Sequence, residues 1–319
     1  MGFEGMTTST QYVSVTQPVG QAIEHVKRML FRPFDFSKWM TIGVCAWLAG
    51  LGERGFSSSA NYNNGQHKGT MSAHQALEQA KAWLAQNFYW LGPLVVTVVV
   101  LGLALWLVML WLNSRGKFMF LHCVALDRAE VSEPWRKYAG EAWSLFWFRV
   151  VLWLCQMACL VPVLVWAGLV GFRMVERETV SGGDIAALVI AGLGIVLLGC
   201  IFAIVGKFTR DFVVPIQYLR GGGTVAAWRE LLRLIGGYTG EFILYVLFSI
   251  LLAICIAVLT MAVVLATCCI ACCLLAIPFL GTVLLLPVLI FQRAYSAYYL
   301  AQFGTDYDVF AAGVRPKAA

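Results

Sequence analysis

Residues 242–291 read FILYVLFSILLAICIAVLTMAVVLATCCIACCLLAIPFLGTVLLLPVLIF, a run of about fifty residues without one charged side chain. A helix crosses about 30 Å of hydrocarbon with about 20 residues at roughly 1.5 Å each. The run is therefore long enough for two crossings and must turn back. The bend is expected at Ala276-Ile277-Pro278, because proline suits the first turn of a helix, where its missing N–H would have no partner anyway.

Upstream, the same test predicts spans at 89–112, 145–171 and 184–206. A first span is expected at 38–56. Its uncharged core, Trp39 to Leu51, is short, so Lys38 is expected to snorkel and Glu53 to reach the far interface. A re-entrant segment is the competing reading there. Six spans fit a chain of 319 residues that is 60% hydrophobic and 13% charged, with mean hydropathy +0.77, where soluble domains carry about 25% charge. That composition excludes a secreted disulfide scaffold, a disordered chain and an ordinary cytosolic enzyme. The first eighteen residues show neither a basic start nor an apolar core of a signal peptide, and Met6 stands where a myristoylation motif needs Ser or Thr.

Charge placement sets the orientation. With six spans, 18 of the 23 Lys and Arg fall on the N-terminal side, and only Arg54, Lys68, Lys81, Arg173 and Arg177 fall on the other. Cytoplasmic segments collect Lys and Arg, so both termini are expected in the cytoplasm and the protein in the plasma (inner) membrane. The net charge of +6 is thus a matter of topology and does not imply a nucleic-acid partner.

A repeat is also legible. Val26-Lys27-Arg28, Trp135-Arg136-Lys137 and Trp228-Arg229-Glu230 each precede an odd-numbered span within a basic amphipathic stretch. Apolar faces are expected from Val19, Ile23, Val26 and Leu30, from Val131, Trp135 and Tyr138, and from Val225, Trp228, Leu232 and Ile235. Pro33 is expected to end the first helix, and Ser132 and Thr224 to cap the other two. The even spans end alike, in SRGKF (114–118), GKFTR (206–210) and FQRAY (291–295). The expected fold is all-α: a polytopic bundle of six transmembrane helices in three parallel hairpin repeats (about 19–118, 119–208 and 209–302), each with a cytoplasmic interfacial helix. Residues 1–18 and 306–319 are expected to be cytoplasmic tails, the first disordered, around a membrane domain at 19–305. An outer loop at 54–88 is expected to end in an amphipathic helix built on Ala73, Leu77, Ala80 and Leu84.

The segments FRPFDFSKW (31–39), KFTRDFVVPIQYLRG (207–221) and FQRAYSAYYLAQFG (291–304) resemble those of poorly characterised bacterial six-span membrane proteins. These are broadly similar to the membrane domain attached to some glycerophosphodiester phosphodiesterases. The resemblance covers about residues 19–305 and implies the six-span fold. It carries no agreed catalytic residues, and with no phosphodiesterase domain in view it implies no phosphodiesterase activity.

Candidate chemistry is sparse. Cys268, Cys269, Cys272 and Cys273 contain a CxxC that could hold a soft metal or form a disulfide, but no His or cation flanks it, so they read as small packing residues. The remaining cysteines (Cys45, Cys123, Cys155, Cys159, Cys200, Cys255) read likewise. The histidines are His25, His67, His74 and His122; none falls in a span, and the outer-loop pair His67 and His74 reads as solvated. Only Arg149 puts charge near a span interior, which argues against a proton-coupled pump. Arg220-Gly221-Gly222-Gly223-Thr224 could cradle an anion at a helix start, yet reads better as a helix terminator and hinge. The remaining candidates lie at the ends of the even spans: Arg115, Lys117, Lys207, Arg210 and Arg293, which could contact anionic lipid headgroups or serve as positive-inside anchors. No cofactor or metal is expected. The expected role is non-enzymatic: membrane organisation, or binding of membrane lipids or a membrane-protein partner. A transporter or channel for a lipid-like or uncharged solute is the alternative.

Overall fold

The computed structural model describes residues 13–32, 34–51, 73–177, 181–267 and 277–312. Expectations on Pro33, Glu53, Arg54, His67, Lys68, the four clustered cysteines and the side chains of Ala73, His74, Leu77, Ala80, Lys81 and Leu84 lie outside them. Among the described residues the regular elements are all helical. They are α1 (Gln17–Phe31), α2 (Phe36–Gly50), α3 (Ala73–Leu126), α4 (Ser132–Lys137), α5 (Ala139–Arg177) and α6 (Gly182–Phe208). A π-turn (Thr209–Val213) leads into α7 (Val214–Arg220), then come α8 (Thr224–Gly237), α9 (Thr239–Ala266), α10 (Pro278–Leu284), α11 (Leu286–Ala301) and, after a short 3₁₀ turn, α12 (Val309–Ala312).

Four helical stretches are long and apolar enough to cross a membrane: Tyr89–Leu126, Ala139–Met174, Gly182–Arg220 and Thr239–Ala266, with mean hydropathies of 2.7, 2.2, 3.0 and 3.1 in their most apolar windows. They cover the second to fifth expected spans. α2 has only 15 residues, about 22 Å, which falls short of a crossing by itself. Helix resumes at Pro278, where the return was expected, but is interrupted at Leu285. Pro287 follows, and a proline ring crowds the carbonyl four residues back. The outer-loop helix is continuous with its span: α3 runs unbroken for 54 residues.

The chain divides into two compact units. One gathers residues 50–113 and 145–208. Its helices expose large apolar side chains such as Val98, Leu101, Val151, Leu154, Leu193 and Leu197, the surface that lipid requires. Arg149 donates to Asn113 Oδ1, and Asn113 Nδ2 donates to the Leu51 carbonyl at 2.6 Å, so this cation is held by a buried amide. Trp106 and Trp153 pack with ring centroids 4.5 Å apart.

The other unit gathers residues 1–49, 114–144 and 209–319. Here α1 packs along α11, burying Ala22, Val26, Met29 and Leu30. A large apolar side chain fully buried in this way contributes roughly 1.5–3 kcal/mol. The buried face is rotated from the expected one, since Ile23 is exposed and His25 is buried. Contacts with α11 and α12 decide this: Tyr298 and Phe310 pack on the His25 ring. On α8, Val225 and Leu232 are exposed while Ala227 and Leu231 are buried and Trp228 and Ile235 are half-buried, so half of the expected apolar face points outward.

Other local expectations are corrected. Ser132 and Thr224 are first helical residues, preceded by Val131 and Gly223 as caps. The second interfacial helix shrinks to the six residues of α4, because Tyr138 leaves the helix to stack on Tyr218 at 4.9 Å. Both expected tails include packed residues. Ser14 exchanges two hydrogen bonds with the Gln302 amide, at 2.7 and 2.9 Å, and the Val15 carbonyl accepts from Tyr295. At the other end Phe310 stacks on Tyr298 at 4.1 Å.

Candidate functional site

Polar groups of the π-turn, α9 and α11 meet in the unit that contains α1, and the π-turn organises them. Pro215 cannot donate to the carbonyl of residue 211, so the helix widens to i→i+5 bonding over Thr209–Val213. This turns Asp211 inward, 7% exposed. The Asp211 carboxylate accepts from Tyr245 Oη at 3.0 Å and from Arg210 Nε at 3.3 Å. Arg293, also 7% exposed, donates to the Arg210 carbonyl. Phe212, Phe242, Tyr299 and Phe303 wall the cluster with mutual ring contacts.

The headgroup candidates therefore separate. Arg210 and Arg293 are brought together. Arg115 donates to the Trp135 carbonyl at 2.9 Å and lies 4.8 Å from that indole's centroid. Lys117 is only 4% exposed. Lys207 belongs to the other compact unit and is half-buried. The glycine loop ends α7: Gly221 and Gly222 have φ of 71° and 87°, a region costly for other residues. The N–H of Thr224 at the start of α8 is already taken by Ser144 Oγ at 2.8 Å, and Gln217 ties the loop with a 3.1 Å bond to the Gly222 carbonyl. A terminator is what the segment builds.

Two exposed cations, Arg229 and Arg233, lie near that loop. A cleft of about 510 Å³ is lined by Arg220, Ala226, Arg229, Glu230, Arg233, Leu234 and Tyr307. Arg220 pairs with Glu230 at 2.8 Å and lies over the Tyr307 ring at 5.2 Å, while Tyr307 Oη donates to Glu230 at 2.7 Å. Burial, followed by the bond to Glu230, pushes the Tyr307 phenol up to about 12, so it stays a donor at neutral pH. Glu230 is thus committed to Arg220 and Tyr307. Arg229 and Arg233 are exposed and form no ion pair among the described residues. In the sequence these arginines stood out only as positive-inside charge and, for Arg229, as part of the repeated basic motif. Their spacing, four residues apart on one helix, was the available signal for a shared face.

Residues 13–305 match a family described as "family of unknown function (DUF7544)", and the chain belongs to that family. No curated protein and no solved structure matches it.

Proposed function

For a member of a family without an assigned function, we propose a non-enzymatic role: a six-span plasma-membrane protein, both termini cytoplasmic, that organises its surroundings by binding anionic lipid headgroups. The observation that carries this is the arginine cleft of α8. Arg229 and Arg233 are exposed beside the outward apolar side chains Val225 and Leu232, the pairing of charge and hydrophobe that suits an interfacial helix. The four apolar helices support the membrane setting. In this reading α2 and the pair α10 and α11 complete the six spans, and Arg210 and Lys207 add to the basic rim.

Each Lys or Arg near an anionic surface is worth about 1 kcal/mol, so removing two should weaken binding roughly thirtyfold. The chain, reconstituted in nanodiscs of mixed phosphatidylglycerol and phosphatidylcholine, should retain the anionic lipid on native mass spectrometry. Retention should fall in the Arg229→Gln/Arg233→Gln variant and in high salt. Equal retention of both lipids by the unaltered chain would overturn the proposal.

A further inference from the structure

His122 lies near the end of α3, is 1% exposed, and has one ring nitrogen accounted for: Nδ1 is 3.0 Å from Tyr218 Oη. Nε2 is buried and has no hydrogen-bond partner among the described residues. Buried polar atoms are rarely left in that state. Two carboxylates come to the same place from the next segment of chain. Glu130 precedes α4 and Glu133 sits in its first turn, and a ring nitrogen of His122 and one oxygen of each carboxylate lie within 4.8 Å of one another.

We propose that His122, Glu130 and Glu133 bind a divalent transition-metal ion, with zinc or manganese as the fitting class. The orphaned imidazole nitrogen is the carrying observation, for the carboxylates by themselves would be ordinary surface acids. A neutral imidazole with two carboxylates is a mixed N/O donor set that suits such ions. The contact at the other ring nitrogen fits too: Tyr218 Oη can accept from Nδ1–H, and in that tautomer Nε2 presents its lone pair. Metal-bound histidines are held this way by an outer partner. Tyr218 is in turn stacked on Tyr138, so the orienting group is itself immobilised.

The carboxylates are available. The Arg128–Glu130 and Lys137–Glu133 contacts are long, 3.9 and 4.0 Å, and exposed; such surface pairs hold their partners weakly. Metal–ligand bonds of about 2.0–2.2 Å place tetrahedral ligand atoms roughly 3.5 Å apart. Closure therefore needs a movement of ~1 Å, which Glu133, exposed on the short helix α4, can make by rotating its side chain. Three protein ligands with one open to solvent leave room for water or an exogenous group as a fourth.

The test uses the full chain in nanodiscs, stripped with chelator, loaded separately with zinc and manganese, desalted, and assayed for bound metal with thermal unfolding alongside. One ion per chain is expected, with at least tenfold weaker binding in His122→Ala and in Glu133→Gln. Glu133 is exposed, so that variant should fold normally even if the core substitution does not. The proposal is overturned if the unaltered chain retains no metal, or if Glu133→Gln and Glu130→Gln retain as much as it does, which would place the metal on other residues. Retention of anionic lipid should be the same in Glu133→Gln, so failure here and failure of the lipid reading are distinguishable.

Discussion

An alanine in place of Gly116 should destabilise the protein, although replacing glycine inside a helix ordinarily does the reverse. A Cβ on Gly116 would lie 2.5 Å from both the Ala49 nitrogen and the Leu48 carbonyl carbon, and 2.8 Å from Leu48 Cβ. Non-bonded carbons settle at about 3.5–4.0 Å, so α2 and α3 would have to part by ~1 Å. Two of the three atoms are backbone, and no rotamer change relieves them. Overpacking of this kind costs ~1–3 kcal/mol. The helix-propensity gain from glycine to alanine is about 0.8–1.0 kcal/mol and offsets only part of it.

Gly102 supplies the comparison. It lies on the same helix, and a Cβ there would meet nothing within 4 Å. Gly102→Ala should be neutral or stabilise by up to ~1 kcal/mol, and because the propensity gain is common to both, the two variants should lie about 1–3 kcal/mol apart. At about 2–4 °C per kcal/mol, tryptophan-fluorescence melts in nanodiscs should separate their midpoints by several degrees, Gly116→Ala lower. If Gly116→Ala melts at or above Gly102→Ala, α2 does not pack against α3 as described, and α2 has lost its anchor.

Two further outcomes test the polar core. Burial lowers the His25 pKa below 6.5, so the unfolded chain binds this proton more readily than the folded one. The stabilisation is complete above pH 6.5, is lost as pH falls from 6.5 to the depressed folded value, and levels off below it. Melting midpoints taken between pH 8 and 5 should fall across that window, and His25→Gln should flatten the fall; an unchanged slope would refute the assignment. Tyr245→Phe removes the 3.0 Å bond to the Asp211 carboxylate. A hydrogen bond to a charged group contributes about 1.5–3 kcal/mol, so the midpoint should drop by several degrees, and a midpoint equal to that of the unaltered chain would count against the cluster.

The parts of the fold legible in sequence were those that depend on composition over a window of bilayer length. The four long helices coincide with the second to fifth expected spans because no soluble environment suits runs such as 94–112 or 184–206, whatever they pack against. The helix start at Pro278 was legible because proline's constraint is local. What escaped were the features set by distant partners. Ile23 satisfies the helical spacing of an apolar face as well as His25 violates it, yet His25 is buried because the Val124 carbonyl, 3.0 Å from Nε2, and Phe310 complete its environment. His122 read as unremarkable for the same reason. Glu130 and Glu133 are near in sequence, but no helical or strand spacing places all three together; the chain reversal at Asp127, with φ of 55°, does that.

The basic residues show where a charge tally stops being informative. Arg293 and Arg229 both counted as positive-inside charge, but one is buried against a backbone carbonyl and the other lines an open cleft. Their substitutions should therefore separate. Arg293→Gln removes a charged donor from the Arg210 carbonyl and should cost about 1.5–3 kcal/mol of stability, with little dependence on salt because buried charges are poorly screened. Arg229→Gln should leave the melting midpoint within about half a kcal/mol of its starting value, as surface changes do, while weakening retention of anionic lipid about fivefold, an effect that high salt should abolish. If both variants behave alike in melting and in lipid retention, the rim acts as one undivided layer of charge and the arginine cleft has no separate role.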